Sequence, residues 1–189
     1  MFSDVTCIDV SKKGDQIVAG SADMTLKVVN RETFKDVLLE GHTAPVLSVA
    51  FNPAADHVVS SSCDGSVRLW NVAEKRCVEK WEKLWKESND VTASVTRGGV
   101  AFNPMKNEFS VPVKDVVKVV IQGKGEEFKD DIFTTTTALP DGEIMSTTAW
   151  SNDGKMLSAG TSKGRVLIWK RVDKSLVGSF QSPRQYEIW

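Results

Sequence analysis

The sequence predicts an all-β chain of four repeated units, each a small antiparallel sheet. Three observations carry this prediction. Two sets of apolar anchors recur at matching steps: Val10, Phe51, Phe102 and Trp150 lie 41, 51 and 48 positions apart, and Val29, Trp70, Val120 and Trp169 lie 41, 50 and 49 apart. The runs around these anchors are short and rich in Val, Ile, Phe and Trp, which suit a pleated, half-buried surface. Turn signals separate them, as in Lys13-Gly14-Asp15, Asp64-Gly65, Asn152-Asp153-Gly154 and Lys163-Gly164. Periods of ~20–50 residues mark units that bury their faces only by stacking on neighbours.

The repeats follow in order. The first, over about 5–45, has strand-like runs at Val5 to Val10, Ile17 to Ser21 and Leu26 to Val29. The second, over about 46–90, has Val46 to Phe51, Val58 to Ser62 and Val67 to Trp70. The third, over about 98–142, has Val100 to Phe102, Phe109 to Val111 and Val117 to Val120. The fourth, over about 144–189, has Thr148 to Trp150, Met156 to Gly160 and Val166 to Trp169. Each repeat has room for a fourth strand.

Composition excludes several classes of function. With 41% hydrophobic and 26% charged residues among 189, the chain reads as folded and globular. Its 24 basic and 25 acidic residues leave no electrostatic footprint for nucleic acid. The apolar runs are a handful of residues, far short of the ~20 a membrane span needs, so no membrane partner is expected. The first residues lack the basic and apolar blocks of a secretory signal. Cys7, Cys63 and Cys77 have no metal-ligand spacing and are expected as free thiols in the cytosol or nucleus. No phosphate loop, His-Glu-x-x-His, nucleophile elbow or Cys-x-x-Cys occurs, so the chain is expected not to be an enzyme and to take no cofactor, metal or small-molecule substrate. The acidic group Glu126, Glu127, Asp130 and Asp131 is broken by Phe128 and Lys129 and is expected in a solvated loop. His57 is expected in the turn Ala54-Ala55-Asp56-His57. Thr134 to Thr137 is β-prone, and Ser182-Pro183-Arg184 is a minimal proline-directed kinase match.

Gly41-His42 stands early in the second repeat and Trp70 late in it, and in this the unit resembles a blade of the WD40 β-propeller. Asn71 replaces the Asp that usually follows the Trp, the other repeats lack Gly-His, and Val29 and Val120 stand where Trp belongs. The resemblance implies a hydrogen-bonded chain of His42, Ser60, Asp64 and Trp70, with a structural rather than catalytic role for His42. In Lys80 to Glu87, Trp81, Leu84 and Trp85 fall at helical spacing. The favoured reading is a last strand followed by a loop or helical turn. The functional reading is a short amphipathic segment that contacts a partner.

Beyond generic WD40 idiom, Trp81, Asn89-Asp90-Val91, Ala101-Phe102-Asn103-Pro104, Val111-Pro112-Val113 and Gly164 to Trp169 are similar to the N-terminal propeller of the WD-repeat and HMG-box DNA-binding protein family. That resemblance implies a nuclear, non-catalytic replisome and chromatin adaptor linking the replicative helicase to DNA polymerase alpha. DNA or chromatin contact is implied only for the full-length protein, because no HMG box or second propeller is present here. The alternative is a WD40 scaffold of another system, such as a ubiquitin-ligase substrate receptor or a signalling adaptor. Four repeats in a family with seven-bladed rings imply a propeller fragment, about four blades of four antiparallel strands forming an open arc.

Overall fold

The computed structural model describes residues 3–82, 98–123, 128–133, 139–140 and 142–181, and the regular structure among them is entirely strand. Sheet one contains β1 (Val5–Val10), β2 (Gln16–Ser21), β3 (Leu26–Asn30) and β4 (Asp36–Leu39). Sheet two contains β5 (Val46–Phe51), β6 (His57–Ser62), β7 (Val67–Asn71) and β8 (Arg76–Trp81). Sheet three contains β9 (Ala101–Phe102), β10 (Glu108–Val113), β11 (Val116–Gln122) and β12 (Phe128–Phe133). Sheet four contains β13 (Met145–Trp150), β14 (Met156–Thr161), β15 (Arg165–Lys170) and β16 (Leu176–Gln181). Every sheet is an antiparallel meander in chain order, so each strand pairs with the one made just before it. The chain forms two compact units, Met1–Val95 with sheets one and two, and Thr96–Trp189 with sheets three and four.

The register explains the paired anchors. Val10 faces Ile17, which faces Val29. Phe51, Val58 and Trp70 form the same row in sheet two. Phe102, Phe109 and Val120 form it in sheet three, and Trp150, Leu157 and Trp169 in sheet four. The two anchor sets are therefore first-strand and third-strand members of one cross-strand row. Their steps run nearly in parallel because the first hairpin keeps its length in every sheet and the second is shorter, by one residue, in sheet three alone. A register shift near the start of β1, β5 and β13 breaks the strict alternation of those strands.

The residue after each first-strand anchor closes the following hairpin. The backbone N–H groups of Ser11, Asn52, Asn103 and Ser151 donate to the carbonyls of Gln16, His57, Glu108 and Met156 at 2.9, 3.1, 2.8 and 3.0 Å. His57 is thus the first residue of β6, not a turn residue. Its backbone is fixed by the Asn52 side chain, which accepts the His57 N–H at 3.0 Å. Asp130 and Asp131 likewise lie within β12 rather than in a loop. Cations on neighbouring elements neutralise them: Lys118 pairs with Asp130 at 2.6 Å, and Arg171 and Lys174 pair with Asp131. Glu126, Glu127, Thr134 to Thr137 and Ser182 to Arg184 lie outside the described residues.

Each unit buries its core between two sheets. In the first, Val18, Leu26, Val28 and Leu39 of sheet one meet Val46, Val49, Phe51, Val58 and Trp70 of sheet two. In the second, Val117, Val119 and Phe133 of sheet three meet Met145, Leu157, Leu167 and Trp169 of sheet four. Phe133 and Trp169 pack edge to face, with centroids 6.5 Å apart. Burying one such large side chain contributes ~1.5–3 kcal/mol.

Candidate functional site

In sheet two the structure brings His42, Ser60, Asp64 and Trp70 into one chain. The Trp70 indole N–H donates to Ser60 Oγ at 2.8 Å. Ser60 Oγ lies 2.8 Å from His42 Nε2, and His42 Nδ1 lies 2.9 Å from Asp64 Oδ2. An indole N–H can only donate and an ionised carboxylate can only accept, which, with His42 neutral, fixes the direction of the whole chain. Ser60 accepts from Trp70 and donates to His42 Nε2, and the neutral His42 donates from Nδ1 to Asp64. Asp64 also accepts from Ser66 Oγ at 2.6 Å, Ser66 N at 2.8 Å and Thr43 N at 3.1 Å.

The electrostatics agree with this assignment. Burial pushes the His42 imidazole below its ordinary value of 6.5, and the opposing pull of Asp64 does not overcome it. Burial by itself would raise the Asp64 carboxyl, but hydrogen bonds from Ser66, His42 and Thr43 outweigh it and hold it far below 3.8. The result is an ionised Asp64 beside a neutral His42.

A serine, a histidine and an aspartate at these distances have the composition of a nucleophilic triad. The surroundings deny that chemistry. Ser60 is fully buried, and its hydroxyl is engaged on both sides by Trp70 and His42. No substrate carbon can reach it. Burial also pushes the thiols of Cys7, Cys63 and Cys77 up, which disfavours thiolate nucleophiles. Among the described residues no group of His, Cys, Asp and Glu is placed to hold a metal ion. No helix among them is long and apolar enough to cross a membrane.

Gly41 precedes the chain for a steric reason. Its φ is +149°, and a Cβ there would lie 2.5 Å from Arg68 Nη1 and 3.3 Å from the Trp70 ring. Arg68 is itself buried over Trp70, its guanidinium carbon 5.6 Å from the ring centroid. Among the described residues its Nε has no hydrogen-bond partner. Trp81 ends β8 and is half-buried, whereas Leu84 and Trp85 lie outside the described residues.

Sequence reasoning missed a second polar cluster, in the other unit. Glu108 at the start of β10 is buried and receives Arg171 Nη2 at 2.8 Å and Nε at 3.1 Å. Asn103 donates to Glu108 Oε1 at 2.7 Å and to the Gly154 carbonyl at 3.1 Å. Arg171 Nη1 reaches Asp131 at 3.1 Å, and Lys174 donates to the same carboxylate. The cluster ties the first hairpin of sheet three to both hairpins at the matching end of sheet four. Gly154, at φ +67°, leaves the space that the Asn103 amide fills. The one available signal was the doubled Phe-Asn-Pro of Phe51 to Pro53 and Phe102 to Pro104.

Comparison with known proteins gives a consistent picture. Residues 1–189 match the family model described as WDHD1 first WD40 domain. WD repeat and HMG-box DNA-binding protein 1 of Mus musculus is 32% identical over 180 residues, covering 93% of this chain. Its Homo sapiens counterpart is 30% identical over 180 residues with the same coverage. The chain spans 15% of the length of these relatives. Among solved structures, the Cps50 (Swd1) β-propeller domain of Myceliophteria thermophila superposes with a TM-score of 0.77 at 17% identity, over 98% of this chain and 58% of that one.

Proposed function

We propose, from the premise that this chain belongs to the family of the WDHD1 first WD40 domain, that it is the interaction module of a nuclear replisome and chromatin adaptor. WD40 propeller domains are in general non-catalytic scaffolds that mediate contacts between proteins. The proposed partners are components of the replicative helicase and of DNA polymerase alpha, as the family resemblance implies; relatives named WD repeat and HMG-box DNA-binding protein 1 share 30–32% identity with the chain. DNA or chromatin contact is assigned to the longer protein, since 24 basic residues against 25 acidic ones favour no polyanion.

The observation that carries the reading is the family match over the whole chain, joined to a polar chain turned entirely inward. With Ser60, His42 and Asp64 engaged in holding one sheet together, function is left to the surface. The proposed contact is the end of β8 at Trp81, continuing through Leu84 and Trp85. The experiment is affinity capture from nuclear extract with the immobilised chain. Recovery of helicase or polymerase alpha components that falls when Trp81 is replaced by Ala supports the proposal. Enrichment instead of a ubiquitin ligase or a signalling complex overturns it in favour of a scaffold from another system.

A further inference from the structure

A buried cation in the first unit has no counter-charge among the described residues. Arg68 stands within β7, opposite Ser60 on one side and Lys80 on the other. It is 9% exposed, and its guanidinium lies over the Trp70 ring. Nη1 stands where a side chain on Gly41 would begin, and Nε is the orphaned donor. The Cys77 thiol approaches the guanidinium, but burial keeps that thiol protonated, so it supplies no negative charge. Lys80 brings a second positive charge alongside, and its own ion pair is with Glu82 at 2.5 Å. Like charges directly opposite in a sheet destabilise it. A buried charge that nothing answers is costly, and an orphaned buried donor in a folded protein calls for a reason.

Other arginines of the chain show how such a group is satisfied. Arg171 turns Nε and Nη2 onto Glu108, at 3.1 and 2.8 Å, so one edge of the guanidinium holds both carboxylate oxygens. Nε of Arg165 donates to Glu143 at 3.2 Å, and Nε of Arg76 donates to Glu74. In all three an Nε–H meets a carboxylate. With Nη1 turned to Gly41, the edge of Arg68 that remains for an anion is the same one, Nε with Nη2. Gly41 and Lys80 border this edge and are both exposed, so the site meets solvent at its rim. Trp70 beneath it packs into the core between sheets one and two, which places the site within the first unit and not on the outer face of sheet one or sheet four.

We infer that Arg68, with Lys80 beside it, is a binding site for a glutamate side chain in an acidic segment of a partner protein. The glutamate enters at the rim between Gly41 and Lys80, and its two oxygens accept from Nε and Nη2 as Glu108 accepts from Arg171. Its charge answers both cations at once. The inference rests on the reading of the chain as an interaction module, but not on Trp81 or on the partners proposed there.

The test is titration of the whole 189-residue chain with a short peptide carrying a single Glu among Ala residues. The same peptide with Gln, sodium acetate and inorganic phosphate are titrated beside it at matched ionic strength. The readout is the NMR signal of the Arg68 Nε–H, assigned by its loss in Arg68→Lys. The Glu peptide and acetate are expected to move that signal downfield and to saturate it, and the Gln peptide is expected to bind about tenfold more weakly or worse. The Glu peptide is also expected to raise the urea midpoint of wild type but not that of Arg68→Lys, which keeps the charge and lacks the fork. Arg68→Met takes its place if the Lys variant does not fold. A signal indifferent to the Glu peptide and to acetate, an equal response to the Gln peptide, or tighter binding of phosphate than of acetate overturns the inference. Capture from nuclear extract tests Trp81 and its partners, so the two proposals can fail separately.

Discussion

Ser60 has a single hydroxyl between two buried nitrogens, and both depend on it. Ser60→Ala leaves the Trp70 N–H without an acceptor and His42 Nε2 without a donor. An unsatisfied buried group costs ~1–3 kcal/mol, so the substitution is expected to destabilise by about 3 kcal/mol in urea denaturation. Ser66→Ala removes only one of several donors to Asp64 and is expected to cost about 1 kcal/mol in the same assay. Phe34 presents the opposite case. It sits at φ 52° in the turn between β3 and β4 and is 80% exposed. The matching turns place Lys75 and Lys174 there, at φ 53° and 58°. A bulky residue in the left-handed region costs ~1–2 kcal/mol, and this one gains little packing in return. Phe34→Asn is expected to stabilise the chain by about 0.5–1 kcal/mol, read as a raised urea midpoint with unchanged slope.

At the scale of elements, sheets three and four are joined by charge as well as by packing. Glu108 keeps its carboxylate out of water by binding Arg171 and Asn103. Arg171→Met leaves that carboxylate buried and uncompensated, and such a loss costs ~3–5 kcal/mol. Adding Glu108→Gln is expected to recover much of it, which a double-mutant cycle in urea measures. The same cluster shows why some of the molecule was legible in the sequence and some was not. The strands were legible because anchor rows repeat at one register with hairpins that keep their length to within one residue. The His42 chain was legible because Gly41-His42 and Trp70 flank it at fixed places in one repeat. Glu108 was not, because its counterparts are Gln16, His57 and Met156, which share no chemistry. Its partner Arg171 lies 63 positions away in another repeat. Asp130 and Asp131 looked like a loop for a related reason. Their charges are cancelled by Lys118, Arg171 and Lys174, and only folding brings those cations alongside.

For the whole molecule, acid is expected to act in two steps. His42 is held neutral by burial, so its folded value lies below the 6.5 of an unfolded chain. Between those values the unfolded state binds the extra proton, so stability is complete above 6.5 and falls as the pH drops through that window. Protonation also puts a hydrogen on Nε2, where the Ser60 hydroxyl already donates, and so breaks the chain to Trp70. A second loss follows at lower pH. Asp64 resists the rise that burial would cause because Ser66, His42 and Thr43 bind it, and Asp131 does so because Lys174 and Arg171 bind it. Both carboxyls are held below 3.8, so they protect the fold above that value and release it as the pH falls through their folded values. The urea midpoint plotted against pH is therefore expected to fall first below about 6.5 and again below about 3.8. His42→Gln, which cannot titrate, is expected to lower stability at neutral pH yet remove the upper step and keep the lower one. If the upper step survives in His42→Gln, a group other than this imidazole controls it, and the neutral assignment of His42 fails with it.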